Sequence, residues 1–285
     1  MSLGGFVCFA VAMCVTVGMV ASWASGPVSR KRVERFARRQ RLDVTATNGD
    51  QIIRYLATTR RWRVAGVAVV YSLAITVEVL TYQVDRNVVL ATLFAGWFTG
   101  TLVAEIRVAH LARGARPAAS LQPRRPRSYL SRPAWALVPV AAGIAVAVAA
   151  ATVVARTLHR ADPDWSAVVW PVVALATAGV VRAIQRAVLH RPQPPAAPDA
   201  LAADDAIRSR SLHVLAGGGT ALVLLCVTAQ LDAMHAVDGG SVQVWRAVGV
   251  GLAAFLGWRV ASAPWPTRRA GPGAAAPTTG TPVAQ

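Results

Sequence analysis

The feature that most constrains this chain is the alternation of seven long apolar runs with clusters of arginine. The runs cover residues 3–25, 64–82, 88–106, 134–155, 165–184, 212–231 and 242–261. A helix of about 20 mainly apolar residues is what it takes to cross a hydrocarbon core roughly 30 Å thick. The sequence therefore predicts an all-α fold, a polytopic transmembrane helical bundle with seven spans. Composition agrees: 54% of residues are hydrophobic and only 15% are charged, against about 25% charged in an ordinary globular domain. So few charges cannot solvate a soluble surface.

Loop charge sets the expected orientation. Residues 26–63 carry eleven Lys or Arg, 107–132 seven, 182–210 five, and the tail from Arg259 three. The opposite set of connections holds only Arg86, Arg156, Arg160 and Arg246. Basic residues resist translocation, so the richer side is expected in the cytoplasm, with the N-terminus outside and the C-terminus inside. Asp85, Asp162, Asp164, Asp232 and Asp238 fall in the short connections assigned to the outside. The first run lacks a preceding positive region and is too long for a signal-peptide core, so it reads as a retained span. The last is the least secure. Only twelve residues separate Arg246 from Arg259, and a re-entrant segment is its rival.

The expected organisation is a first span at 1–25, a basic cytoplasmic segment at 26–63, a six-span bundle of three hairpins at 64–263, and a disordered Ala/Gly/Pro/Thr tail at 264–285. Within the basic segment, residues 30–41 read as a helix with Val33, Phe36, Ala37 and Gln40 on one face. Two roles fit it: lying on anionic inner-leaflet lipid, or fixing topology as a solvated charged stretch. Asp50 reads as an N-cap after the Asn48-Gly49 turn, with Ile52, Ile53 and Leu56 leading helically into the second span. Asp204 and Asp205 precede Arg208 at helical pair spacing, which predicts a short helix with surface ion pairs.

The net charge of +17 would point to nucleic acid in a soluble protein. Here the cations lie between apolar runs, where topology and lipid headgroups explain them better, so no nucleic-acid partner is expected. Lys31 is the single lysine. Arginine-only loops, Ala/Val spans, a Pro/Ala tail and the phrase Ala-Asp-Asp-Ala-Ile-Arg-Ser-Arg-Ser within 201–215 together resemble the uncharacterised multi-pass membrane proteins of GC-rich actinobacteria. The resemblance is one of style. It implies a bacterial inner-membrane protein and no activity.

Few residues could carry chemistry. Glu78 and Glu105 are ionisable groups inside expected spans and so are candidates for proton- or substrate-linked roles, though both are shallow. Gly96 and Gly100 form a GxxxG pair that allows close helix approach. Gly217, Gly218 and Gly219 read in two ways: a broken helix lining a site, or tight packing against a neighbour. Cys8, Cys14 and Cys226 lie in apolar runs and read as packing residues. The five histidines have no partner at ligand spacing, so neither metal nor cofactor is expected. No nucleophile or nucleotide motif is present. The expectation is a non-catalytic accessory or scaffold component, working with another membrane protein or a second copy of itself. The rivals are a small transport permease and a membrane-embedded enzyme.

Overall fold

The structure is a computed structural model. It describes residues 26–81, 86–111, 126–158, 165–191, 197–238 and 242–263, together with Gly18, Ser22 and Ala24. The expected first span, those three residues apart, and the tail beyond residue 263 lie outside the described residues. Among the described residues the chain is all-α, with seven helices: α1 (Arg30–Gln40), α2 (Gly49–Thr81), α3 (Arg86–Leu111), α4 (Arg132–Leu158), α5 (Ser166–His190), α6 (Pro198–Asp238) and α7 (Val242–Ala261). A single 3-10 turn at Pro126–Ser128 precedes α4.

Three segments, Arg132–Leu158, Ala167–His190 and Pro198–Leu231, are long and apolar enough to cross a membrane by length and composition. They imply contact with a lipid bilayer. Their burial differs in a telling way. Inside the molecule 72% of the apolar window of α6 is buried, against 22% for α4 and for α5. The outer pair leave Val153, Val154, Val168 and Val172 exposed, as a lipid-facing surface requires. α6 is the central post, packed on by α4, α5 and α7 and more lightly by α2 and α3. The three sequential hairpins are thus not independent: α4 and α5 each touch α6 more than they touch one another.

Three consecutive glycines make that centrality possible. Successive helical positions point about 100° apart, so Gly217, Gly218 and Gly219 open three sides of one turn. A Cβ on Gly217 would meet the carbonyl oxygen of Gly257 and, at 2.7 Å, the amide nitrogen of Ala261, both on α7. On Gly218 it would strike the ring of Phe98 from α3, and on Gly219 it would lie 2.9 Å from a methyl of Val181 on α5. The helix runs unbroken through all three. The broken-helix reading of this run is therefore incorrect: the helix is continuous, and Phe98, Val181 and the backbone of α7 occupy the space a site would need.

A second close seam joins α2 to α3. A Cβ on Gly66 would strike the backbone of Gly96 and lie 2.6 Å from the Cα of Gly100. A Cβ on Gly96 would lie 2.8 Å from the Cα of Val67, and one on Gly100 2.8 Å from the Cα of Arg63. The GxxxG pair is consumed within the chain, with Gly66 opposite it.

Two helices extend beyond their expected spans. α2 begins at Gly49, so the boundary expected at residue 63 falls inside a helix. α6 is 41 residues long, about 60 Å at 1.5 Å per residue. It fuses the expected short helix after Asp199 with the span at 212–231. Its first turns pack with α1 and the start of α2: Val33 and Phe36 join Ile52, Tyr55, Ala203, Ala206 and Ile207 in one buried cluster. Val33, Phe36, Ala37 and Gln40 of α1 are indeed all buried, but against protein. That face is not available to lie on lipid. The helix stops at Arg41 in the left-handed region (φ 50°), and the Leu42 amide returns to the Ala37 carbonyl at 3.0 Å, a Schellman-like closure. The turn before α2 is held by Asn48 and not by Asp50. Asn48 Nδ2 donates to the Asp43 carbonyl and its Oδ1 accepts from the Thr45 amide, both at 2.9 Å.

The glycine seams make a graded prediction. Gly66→Ala and Gly218→Ala must displace backbone or a buried ring, and each should cost roughly 1–3 kcal/mol. Gly143→Ala and Gly179→Ala, where a Cβ meets nothing within 4 Å, should be neutral or slightly stabilising. Unfolding of the purified variants in mixed detergent micelles measures the contrast.

Candidate functional site

The buried charged side chains among the described residues, Glu105, Arg191, Asp204 and Arg208, gather at one end of the bundle, where α2, α4 and α6 begin and α3, α5 and α7 finish. Two buried clusters and a cavity are built there.

The first cluster surrounds Glu105. Near the end of α3 this residue is only 1% exposed. Tyr55, 5% exposed and on the first turns of α2, donates its hydroxyl to Glu105 Oε1 at 3.1 Å. The Ser211 hydroxyl lies 3.3 Å from the same phenol oxygen. A phenol has one proton, so with it committed to Glu105 the serine is the donor. Burial first, and the nearby Glu105 second, push the Tyr55 phenol up from its ordinary value, and it stays a donor. Alongside, Arg63 Nε donates to Thr101 Oγ1 at 3.0 Å while its guanidinium lies 4.9 Å from the centre of the Trp97 ring.

The second cluster centres on Asp204, which the sequence placed on a surface. Its side chain is 7% exposed, that of Arg208 is 0% and that of Arg191 is 5%. Arg191 binds one carboxylate oxygen and Arg208 Nη2 the other at 2.8 Å. Arg208 also donates to the carbonyls of Leu189 at 2.9 Å and Arg191 at 3.1 Å. These lie at the end of α5, where a helix leaves its last carbonyls without intrahelical donors. Asp205 accepts the Tyr129 hydroxyl at 3.0 Å, and the Tyr129 carbonyl accepts from Ser209 Oγ at 3.0 Å. The chain before α4 is thereby tied to α6.

The same device recurs. Arg210 donates to the carbonyl of Ala261, the last residue of α7. Arg60 reaches the carbonyls of Ala24, Gly26 and Pro27. Pro139 lies inside α4 and has no N–H to offer the carbonyl four residues back. That carbonyl belongs to Trp135 and accepts from Arg182 Nη1 at 3.4 Å. The same guanidinium lies 4.0 Å from the centre of the Trp135 ring, a cation–π contact.

Between α1, α2, α3 and α6 lies a cavity of about 460 Å³. Arg32, Arg35 and Arg39 of α1, Arg60 and Arg63 of α2 and Arg210 of α6 line it, beside Phe36, Leu56, Val64, Val67 and Trp97. No carboxylate is among its lining residues.

The sequence-derived candidates thus part company. Glu105 belongs to the first buried cluster, and the five glycines are packing positions. Glu78 is in the last turns of α2, but its side chain lies outside the described residues. Cys226 is buried in the main core. Among the described residues no group of three or more His, Cys, Asp or Glu is placed to hold a metal ion. The Asp204–Arg208 pair expected from helical spacing is present, but its burial, the second arginine Arg191, Tyr55 and the arginine-lined cavity were missed. The one available signal was a pair of aspartates and two arginines adjoining an apolar run. No family model matches the sequence, and neither the curated proteins nor the solved structures supply a match.

Asp204→Ala leaves two guanidinium groups buried without their counter-charge and should cost roughly 3–5 kcal/mol. Arg208→Lys keeps the charge but cannot reach two carbonyls and a carboxylate in one plane, and should cost about 1–3 kcal/mol. Denaturation midpoints of the two variants against the parent check both values.

Proposed function

We propose that the chain is a seven-span protein of the bacterial cytoplasmic membrane, N-terminus outside and C-terminus in the cytoplasm, serving as a non-catalytic accessory or scaffold component. The closed interior carries this reading. The triple glycine that would best serve a permeation path is filled by Phe98, Val181 and the backbone of α7. Glu105 is sealed behind Tyr55 and Ser211. Both the arginine-lined cavity and a second hollow beside Arg127, Arg132 and Trp135 lie at the arginine-bearing end. A rigid post, a polar end locked by side-chain bonds, and wide apolar flanks on α4 and α5 suit a protein that positions others in the bilayer.

The orientation follows from the gathering of basic loop residues at one end, because such residues are retained on the cytoplasmic side. Cysteines introduced by Arg127→Cys and Arg186→Cys, both exposed, should react with an impermeant thiol reagent only after the membrane is opened. Labelling of either in intact cells overturns the orientation. For the role, the purified protein in vesicles should hold ion and solute gradients as well as protein-free vesicles do. Photo-crosslinkers at Val153 and Val172 should give adducts of defined size. Saturable solute flux that disappears in Glu105→Gln would replace the scaffold reading with the permease reading.

A further inference from the structure

We propose that the cavity between α1, α2, α3 and α6 is a binding site for the phosphate headgroup of an anionic membrane lipid, a phosphoglycerol lipid being the chemistry that fits it. The inference rests on the membrane placement of the bundle and not on its scaffold role.

Charge is the first argument. Six guanidinium groups from three helices face one space of about 460 Å³ with no carboxylate in its wall. That volume falls within the roughly 300–1,000 Å³ of small-ligand sites. Among the described residues none of the six forms an ion pair. The pairs Arg30–Glu34, Arg191–Asp204 and Arg208–Asp204 all use other residues. Glu105, buried behind the wall, offsets part of the charge on Arg63 and Arg210; the remaining like charges repel unless an anion sits among them, and planar guanidinium forks match phosphate oxygens in pairs.

Unmet bonding is the second. Gln40 is 2% exposed, lines the cavity, and its Oε1 is buried without a partner. Arg60 Nε is buried and unpartnered as well. A buried polar atom left unbonded costs about 1–3 kcal/mol. Both residues line the cavity, so these unmet groups favour a polar occupant there over an apolar one.

Shape is the third, and it selects a lipid over a free anion. One wall is apolar: Leu56, Val64, Val67 and Trp97 continue from the arginines along α2 and α3. Val64 and Val67 begin the apolar part of α2, so the cavity runs from the arginine-rich end towards the depth of acyl chains. A basic pocket between helices at the membrane boundary is a known way of holding an anionic headgroup.

The test uses the full chain in neutral detergent, with fluorescent phosphatidylglycerol as the probe. Arg35 and Arg39 are exposed, so Arg35→Ala/Arg39→Ala should leave folding intact, which the unfolding midpoint verifies. Two lost contacts of surface strength should weaken binding roughly thirtyfold. Lys31→Ala/Arg38→Ala removes the same charge from exposed positions of α1 outside the cavity and should change affinity less than about threefold. Phosphatidylcholine with the same chains, and glycerol phosphate without chains, should compete poorly. Equal weakening by both double variants would mean diffuse attraction and overturn the site. Competition by glycerol phosphate at lipid-like concentrations would make it a free-anion site, and equal binding of phosphatidylcholine would remove the headgroup argument. None of these outcomes bears on whether the protein is a scaffold, which the flux measurement decides separately.

Discussion

The structure depends on arginines that cap the ends of helices to which they do not belong. Every helix finishes with carbonyl groups that have no donor of its own, and α5 and α7 finish at the same end of the bundle. Arg208 and Arg210, both on the oppositely running α6, supply the missing donors to Leu189, Arg191 and Ala261. The carbonyls of Ala24, Gly26 and Pro27 receive theirs from Arg60 on α2. A cation at a helix C-terminus also opposes the negative end of the helix dipole. Such a bond fixes one helix axially against another, which apolar packing does poorly. A guanidinium carries five donors in a rigid fork, so Arg208 spans two carbonyls and a carboxylate together. This gives a physical reason, beyond topology, for basic loops that use arginine.

What the caps fix axially, the glycines fix laterally. In lipid no hydrophobic gain draws one apolar helix to another, so association relies on close packing and on hydrogen bonds between helices. Each glycine costs roughly 1 kcal/mol of helix propensity relative to alanine, and three in succession would weaken an isolated helix. Here each of the three is set against a different neighbour, α7, α3 and α5 in turn. The loss in propensity is offset by contact on three sides. α6 is thereby the most buried of the apolar helices, although its first turns are rich in polar residues.

Much of the helical layout was legible in the sequence, because apolar length and arginine spacing are local properties. The last helix has the bounds expected for it, Val242–Ala261, and the buried face of α1 is the one its periodicity marks. What escaped is tertiary. Glu105 near a span end and Asp204 in a charged stretch each look solvent-facing, since a lone acid beside arginines usually is. Their burial comes from partners 50 residues away in the case of Tyr55 and 13 residues away in the case of Arg191, and no periodicity encodes those pairings. Helix starts near Asp50 and Asp199 are legible in the sequence, and the helices begin at Gly49 and Pro198. What is not legible is that α6 runs without a break from its polar first turns into the span, because a helix continues wherever its polar residues find partners. The split of the Gly217–Gly219 reading shows the same limit: flexibility and close packing use the same residue, and only the neighbours decide between them.

The arginine-lined cavity is a consequence of this construction and not an addition to it. Arg60, Arg63 and Arg210 each have one part of the guanidinium already bound, to main-chain carbonyls, to Thr101 and to Ala261 respectively. Held that way, they cannot turn aside to relieve their mutual repulsion. α1 adds three more arginines because its apolar face must pack on Tyr55 and Ile207, which turns Arg32, Arg35 and Arg39 towards the same space. The requirements of capping and of burying α1 therefore concentrate positive charge where Val64 and Val67 begin the apolar stretch of α2. A side chain already fixed by one bond loses less freedom when it gains a second. The inner wall is thus prepared for an anion before one arrives, and the exposed Arg35 and Arg39 are left to close around it.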